Sequence, residues 1–202
     1  MLQRIGKKKK VLVIVAHPDD EIIWMGGVLI RNCRIKKRWE VTIISLCRKN
    51  DKERAEKFFK VCKILDVDGF ISDLDDSEEG DYKKIRAEEI AKRVKKFAEE
   101  DYDFVFTHGE NGEYGHIRHK EIHKAMKKLL ESGELRAKKA FFFSYVKKGK
   151  FCDINSSADN LINLNEDEYS RKKLIIQEVY GFEKGSFEET CCRKKEAFEI
   201  LK

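Results

Sequence analysis

The sequence predicts an α/β fold, a Rossmann-like three-layer αβα sandwich around a mainly parallel sheet. Apolar, β-branched runs recur along it, among them Val11–Val15 and Val41–Cys47. Runs without polar alternation suit strands buried on both faces of a parallel sheet. Between them lie longer, highly charged stretches with apolar residues at helical spacing, and that alternation builds βαβ units. The first run also ends abruptly in Ala16-His17-Pro18-Asp19-Asp20-Glu21. A histidine and three carboxylates would therefore emerge at the carboxyl edge of the sheet, where open α/β folds bind ligands.

Each element follows from its own residues. After the Val11–Val15 strand, a helix is predicted from Asp20 or Glu21 to about Arg34, with Ile22, Ile23, Gly26, Leu29, Ile30 and Cys33 on its apolar face. Gly26 and Gly27 each weaken that helix by about 1 kcal/mol, and close packing on the sheet is the expected reason for them. Val41–Cys47 is the second strand. The helix from Asp51 to Leu65 carries Ala55, Phe58, Phe59, Cys62 and Leu65 on one face. Gly69–Ser72 is a third, short strand. The acidic loop Asp73–Gly80 lacks the glycine and final glutamate of an EF-hand loop, and is read as a solvated loop bordering the site.

A helix from Tyr82 to Glu100 follows, with Ile85, Ile90, Val94 and Phe97 as its apolar residues. The strand Asp103–Thr107 then ends at His108. A loop with Gly109, Gly112 and Gly115 leads into Tyr114-Gly115-His116-Ile117-Arg118-His119, and a helix runs from His119 to Glu131. Ala140–Val146 is a fifth strand, and helices are expected over Glu166–Val179 and Glu188–Leu201.

The 202 residues contain one proline and no Ser/Gly-rich linker, so a single domain over 1–202 is expected. No apolar run reaches the ~20 residues that span a bilayer. Four lysines, Lys7–Lys10, precede only six apolar residues before His17, too few for a signal-peptide core. A cytoplasmic protein is expected. The six cysteines form no C-x-x-C pair and read as buried small hydrophobes; adjacent Cys191 and Cys192 make poor joint ligands for a structural zinc. The excess of 43 Lys and Arg over 37 Asp and Glu is modest and fits solvated helix faces. A nucleic-acid partner would need basic residues clustered with aromatics; Lys7–Lys10 stands alone, and none is expected. A homo-oligomer stays open.

The two polar clusters together supply a hydrolytic metal site. Such a site needs three protein ligands and an open position for water. His17 and Asp20 leave one strand end three residues apart, and His119 begins a later helix. Two imidazoles and a carboxylate favour zinc or a similar transition metal over magnesium. Asp19 is then free as general base. His116, one helical turn before His119, would serve as a protonated imidazole on the oxyanion or leaving amine. Either cluster alone would be ordinary, since Asp-Asp-Glu at a helix start is common capping chemistry. His108 is expected to line the pocket outside the ligand set, and His123 to lie on the helix surface.

Ala16-His17-Pro18-Asp19-Asp20-Glu21 and Gly115-His116-x-x-His119 resemble the motifs of the zinc-dependent N-deacetylases called the PIG-L or LmbE-like family. The resemblance implies Zn2+ held by His17, Asp20 and His119, with Asp19 as general base and His116 stabilising the tetrahedral intermediate. It implies an N-acetylglucosamine-type sugar or glycoconjugate as substrate, with acetate released. Arg54 matches a position where the family often keeps an arginine, which implies contact with the sugar or an acidic group. The chain departs from the family twice. Ile117-Arg118 stand where many members have Pro-Asp, and Leu46-Cys47-Arg48-Lys49 replaces a common Gly-Glu. Glu110 or Glu113 is the expected substitute partner for His116. The rival readings are another metal-dependent amide hydrolase on the same scaffold and a non-catalytic sugar-binding module.

Overall fold

The computed structural model describes residues 7–76 and 83–201. Seven strands form one sheet: β1 (Lys9–Val15), β2 (Trp39–Cys47), β3 (Asp68–Leu74), β4 (Asp101–Thr107), β5 (Arg136–Phe143), β8 (Asn160–Asn163) and β9 (Lys195–Ile200), in the order β3-β2-β1-β4-β5-β9-β8. The first five are parallel, while β9 runs antiparallel to both β5 and β8. A separate hairpin joins β6 (Tyr145–Lys148) to β7 (Phe151–Ile154). Alternate residues of β1 feed two cores. Val11, Val13 and Val15 pack with Ile22, Trp24, Phe58 and Ile176, and Leu12 and Ile14 pack with Ile90, Val94, Ile122 and Met126.

The chain leaves β1 for β2 and β3, then returns to β4 on the other side of β1. That reversal opens a crevice at the carboxyl ends of β1 and β4, where ligands of open α/β sheets bind. Both polar clusters leave the sheet there.

The helices are α1 (Asp20–Leu29, continuing through a wide turn over Ile30–Ile35), α2 (Lys52–Leu65), α3 (Ala87–Lys95), the single turn α4 (Gly112–Gly115), α5 (Ile117–Glu131), α6 (Glu166–Leu174, continued by Ile175–Val179) and α7 (Phe187–Cys191). None of the described helices is long and apolar enough to cross a membrane. The expected helix before β4 is shorter than its pattern suggests, and Tyr82 lies outside the described residues, as do residues 77–80 of the acidic loop.

The expected helix over Glu188–Leu201 is the main correction. Only Phe187–Cys191 is helical, and Lys195–Ile200 is strand β9. The segment is rich in helix formers, but pairing with β5 and β8 overrides propensity. The strand expected over Ala140–Val146 is likewise divided between β5 and β6.

The glycines of α1 also have a different reason from the one expected. A Cβ on Gly27 would stand 2.2 Å from Leu164, and one on Gly26 3.3 Å from Lys172, so the close approach is to α6 and the loop before it. The helix breaks at Met25, whose φ is −145°. Past the break, the N–H groups of Gly27 and Val28 donate to the two carboxylate oxygens of Glu196, each at 2.8 Å. Lys172 Nζ donates to the same carboxylate at 2.7 Å, and both side chains are fully buried. Glu196, from the misread segment, thus acts as an internal cap for the second half of α1.

Candidate metal and catalytic site

The turn after β1 is strained. Asp19 has a φ of 118°, a region that non-glycine residues rarely occupy. Its carbonyl accepts the first helical bonds, from Ile22 and Ile23, but its side chain makes no cap. The Asp19 carboxylate is therefore free of the capping role common at such positions. Glu21, fully buried, accepts the Asp19 N–H at 3.1 Å and the Tyr180 hydroxyl at 2.5 Å, which buttresses the turn.

His17, Asp20 and His119 converge. His17 Nδ1 and Asp20 Oδ2 are 3.3 Å apart, His119 Nε2 and Asp20 Oδ2 3.4 Å, and the two nitrogens 3.4 Å. Three donors on a tetrahedral ion at ~2.0–2.1 Å stand roughly 3.3–3.4 Å from one another, so this triangle fits such a cation as it stands. Asp20 is fixed further by Trp24 Nε1 at 2.8 Å on Oδ1 and by the His17 N–H at 2.9 Å on Oδ2.

A carboxylate stands outside each imidazole. His119 Nδ1–H donates to Glu113 Oε2 at 2.5 Å, and His17 Nε2–H faces Asp76 Oδ2 at 3.1 Å. Such partners fix the tautomer and turn the opposite nitrogen's lone pair toward a metal. Glu113 also accepts the Gly109 N–H at 2.7 Å, from a backbone φ of 57°. His108 stacks on His119 at 3.8 Å between centroids. Its Nε2 accepts the Ala16 N–H at 2.8 Å and its Nδ1–H donates to Glu113 at 3.0 Å, so it braces the site and offers no lone pair. His123 is buried, contrary to expectation, and bonds the His108 carbonyl at 3.0 Å.

The charges are strongly coupled. Burial alone would depress the His17 and His119 imidazoles, but Asp20 and Asp76 raise His17 to about 9, and Asp20 and Glu113 raise His119 to about 10. Burial opposes ionisation of Asp20, yet His119, His17 and His108 hold it well below the usual carboxylate range. Burial, then the charge on Asp20, lifts Asp19 to about 7 against the pull of Arg54.

Arg54 has a more specific place than expected. Its Nη1 donates to Asp19 Oδ2 at 2.5 Å and to Pro18 O at 3.2 Å, while the side chain still lines the cavity. That cavity, about 130 Å³, opens onto His17, Asp19, Asp20 and His116, between apolar Ile23, Trp24, Tyr114 and Phe187 and charged Arg48, Arg54 and Glu188.

His116 departs from expectation. Glu113 is committed to His108 and His119, and Glu110 lines a separate cavity with His123. Burial, then the neighbouring imidazoles, lowers His116 to about 4, so the ring is neutral near pH 7. Its Nδ1 is buried with no hydrogen-bond partner among the described residues. Sequence reading missed His108 and Glu113 as braces and Asp76 as the partner of His17. Their only advance signals were a strand-end histidine, a glycine-rich loop and an acidic run.

Residues 12–130 match the family model PIG-L, described as GlcNAc-PI de-N-acetylase. No curated protein matches the sequence significantly. Among solved structures, the N,N'-diacetylchitobiose deacetylase from Pyrococcus horikoshii aligns at 17% identity over 96% of this chain and 84% of that one, with a TM-score of 0.69. The conserved protein TT1542 from Thermus thermophilus aligns at 17% identity over 95% and 94%, with a TM-score of 0.66. GalB, the 4-carboxy-2-hydroxymuconate hydratase from Pseudomonas putida, aligns at 13% identity over 96% of each chain, with a TM-score of 0.57. At these identities the likeness is one of fold, and that fold carries both a deacetylase and a hydratase.

Proposed function

The chain belongs to the PIG-L family of de-N-acetylases, and from that premise we propose that it is a zinc-dependent hydrolase removing the acetyl group from an N-acetylglucosamine-type sugar or glycoconjugate. The observation that carries this reading is the triangle of His17 Nδ1, Asp20 Oδ2 and His119 Nε2, with the Asp19 carboxylate beside it in the same cavity, hydrogen-bonded through Oδ2 to Arg54. His17, Asp20 and His119 hold the ion in this reading. When bound, zinc supplies Lewis acidity at the acyl oxygen and acidifies water.

The remaining roles belong to the chain. Asp19 takes a proton from the attacking water through Oδ1, since Arg54 occupies Oδ2. An acid near neutrality suits that work, because it can accept the proton and later return it to the departing amine. Burial favours the neutral form of His116; in this reading the ring donates an N–H to the oxyanion. Arg54 keeps Asp19 ionised and aimed, and its exposed edge meets the substrate. Aromatic walls beside charged groups suit a sugar, which offers apolar ring faces and polar hydroxyls.

The test is acetate and free-amine release from N-acetylglucosamine and its glycosides by purified protein, with and without chelator. Chelator-sensitive release restored by zinc supports the reading. Tight zinc binding with no turnover on any N-acetylated saccharide would leave a binding module instead.

A further inference from the structure

Arg118 stands between His116 and His119, and its side chain is fully buried although nothing in the proposed chemistry uses it. A buried guanidinium is costly unless acceptors and opposite charge surround it. Its Nη1 donates to Glu121 Oε2 at 2.5 Å and to the Lys83 carbonyl at 3.2 Å, and its Nη2 lies 3.7 Å from Asp75 Oδ2. Glu121 in turn accepts the Ile85 N–H at 3.1 Å. One cation at the start of α5 therefore engages the chain after β3 and again before α3.

The residue after Asp75 is Asp76, the carboxylate that faces His17 Nε2. Its Oδ2 also lies 2.7 Å from Arg48 Nη2 on the cavity side. Asp75 and Asp76 bring negative charge toward a site that already holds Asp19 and Asp20. Among the described residues, the buried Arg118 lies against Asp75 and the partly exposed Arg48 against Asp76.

We infer that Arg118 is a positioning residue: it anchors the segment ending in Asp76, and through Asp76 it keeps His17 turned so that Nδ1 faces Asp20 and His119. This rests on the reading that those three side chains hold a divalent cation. Loss of an outer partner of a ligating histidine typically weakens metal affinity roughly 10–100-fold.

Cobalt titration of the full chain, followed by visible absorption, tests it. Wild type binds one Co2+ with the intense bands of a four-coordinate site. Arg118→Met and Asp76→Asn each weaken binding roughly 10–100-fold and shift the bands. The double variant binds no more weakly than the weaker single, because both act along one path, and Arg118→Lys recovers part of the loss. An Arg118→Met protein with native circular dichroism, wild-type affinity and an unchanged spectrum overturns the inference, as does additivity in the double variant. If Arg118→Met does not fold, Asp75→Asn reads the same path: several-fold weaker binding supports the inference and wild-type binding overturns it. Wild type that binds no Co2+ overturns the metal reading and this inference with it, and is distinguished because the unaltered protein itself fails.

Discussion

In the proposed reaction Asp19 is the residue on which the chemistry turns, and its position separates its role from that of its neighbour. Asp19→Asn should keep the metal and lose roughly 10²–10⁴ in turnover, whereas His119→Ala should lose metal and turnover together; metal content and kcat measured on the same samples check both. Arg54 lowers the Asp19 carboxyl from the value that burial and Asp20 set. Arg54→Gln should therefore move the acid limb of the kcat–pH profile to higher pH, by about 1 unit. The imidazoles of His17 and His119 give a second pH effect. With folded values near 9 and 10, above their ordinary value, His17 and His119 stabilise the metal-free protein at low pH, and that contribution fades as pH rises through those values. In the proposed site metal must displace these protons, so affinity should climb with pH up to about 10, and calorimetry in buffers of different ionisation enthalpy should detect the released protons. The convergence of His17, Asp19, Asp20, His116 and His119 on one place was legible because each cluster is contiguous in the sequence. Asp76, Glu113 and His108 meet His17 and His119 only through the fold, and no spacing rule connects residue 76 to residue 17.

At the scale of elements, α1 carries the clearest lesson. The paired glycines were visible as an anomaly, but their cause lay in α6, Leu164 and Glu196, far along the chain. The last segment reads as a helix from its residues and becomes β9 because β5 and β8 offer it partners. From β9, Glu196 accepts two N–H groups of α1, which ties the strand to the helix that carries Asp20. Glu196→Ala leaves Lys172 buried without its counter-charge and two helix N–H groups unpaired. It should cost about 3–5 kcal/mol in denaturant unfolding, while Lys172→Met with Glu196→Gln should cost less than Glu196→Ala.

For the whole molecule, the parallel core and its reversal between β1 and β4 were readable from buried strands alternating with charged helical stretches. The antiparallel additions β8 and β9 were not, because their short, polar sequences carry little strand signal. A cation joining the β1 turn to α5 should stabilise the chain as a ligand does: at a free concentration 100 times Kd, by about 2.7 kcal/mol, a rise of roughly 5–10 °C in Tm that chelator reverses. The most direct measurement is anomalous X-ray scattering at the zinc edge from crystals of the metal-loaded protein. One peak about 2.0 Å from His17 Nδ1, Asp20 Oδ2 and His119 Nε2, with Asp19 unligated, is the predicted result; a peak elsewhere, or one that engages Asp19 in place of Asp20, would contradict it.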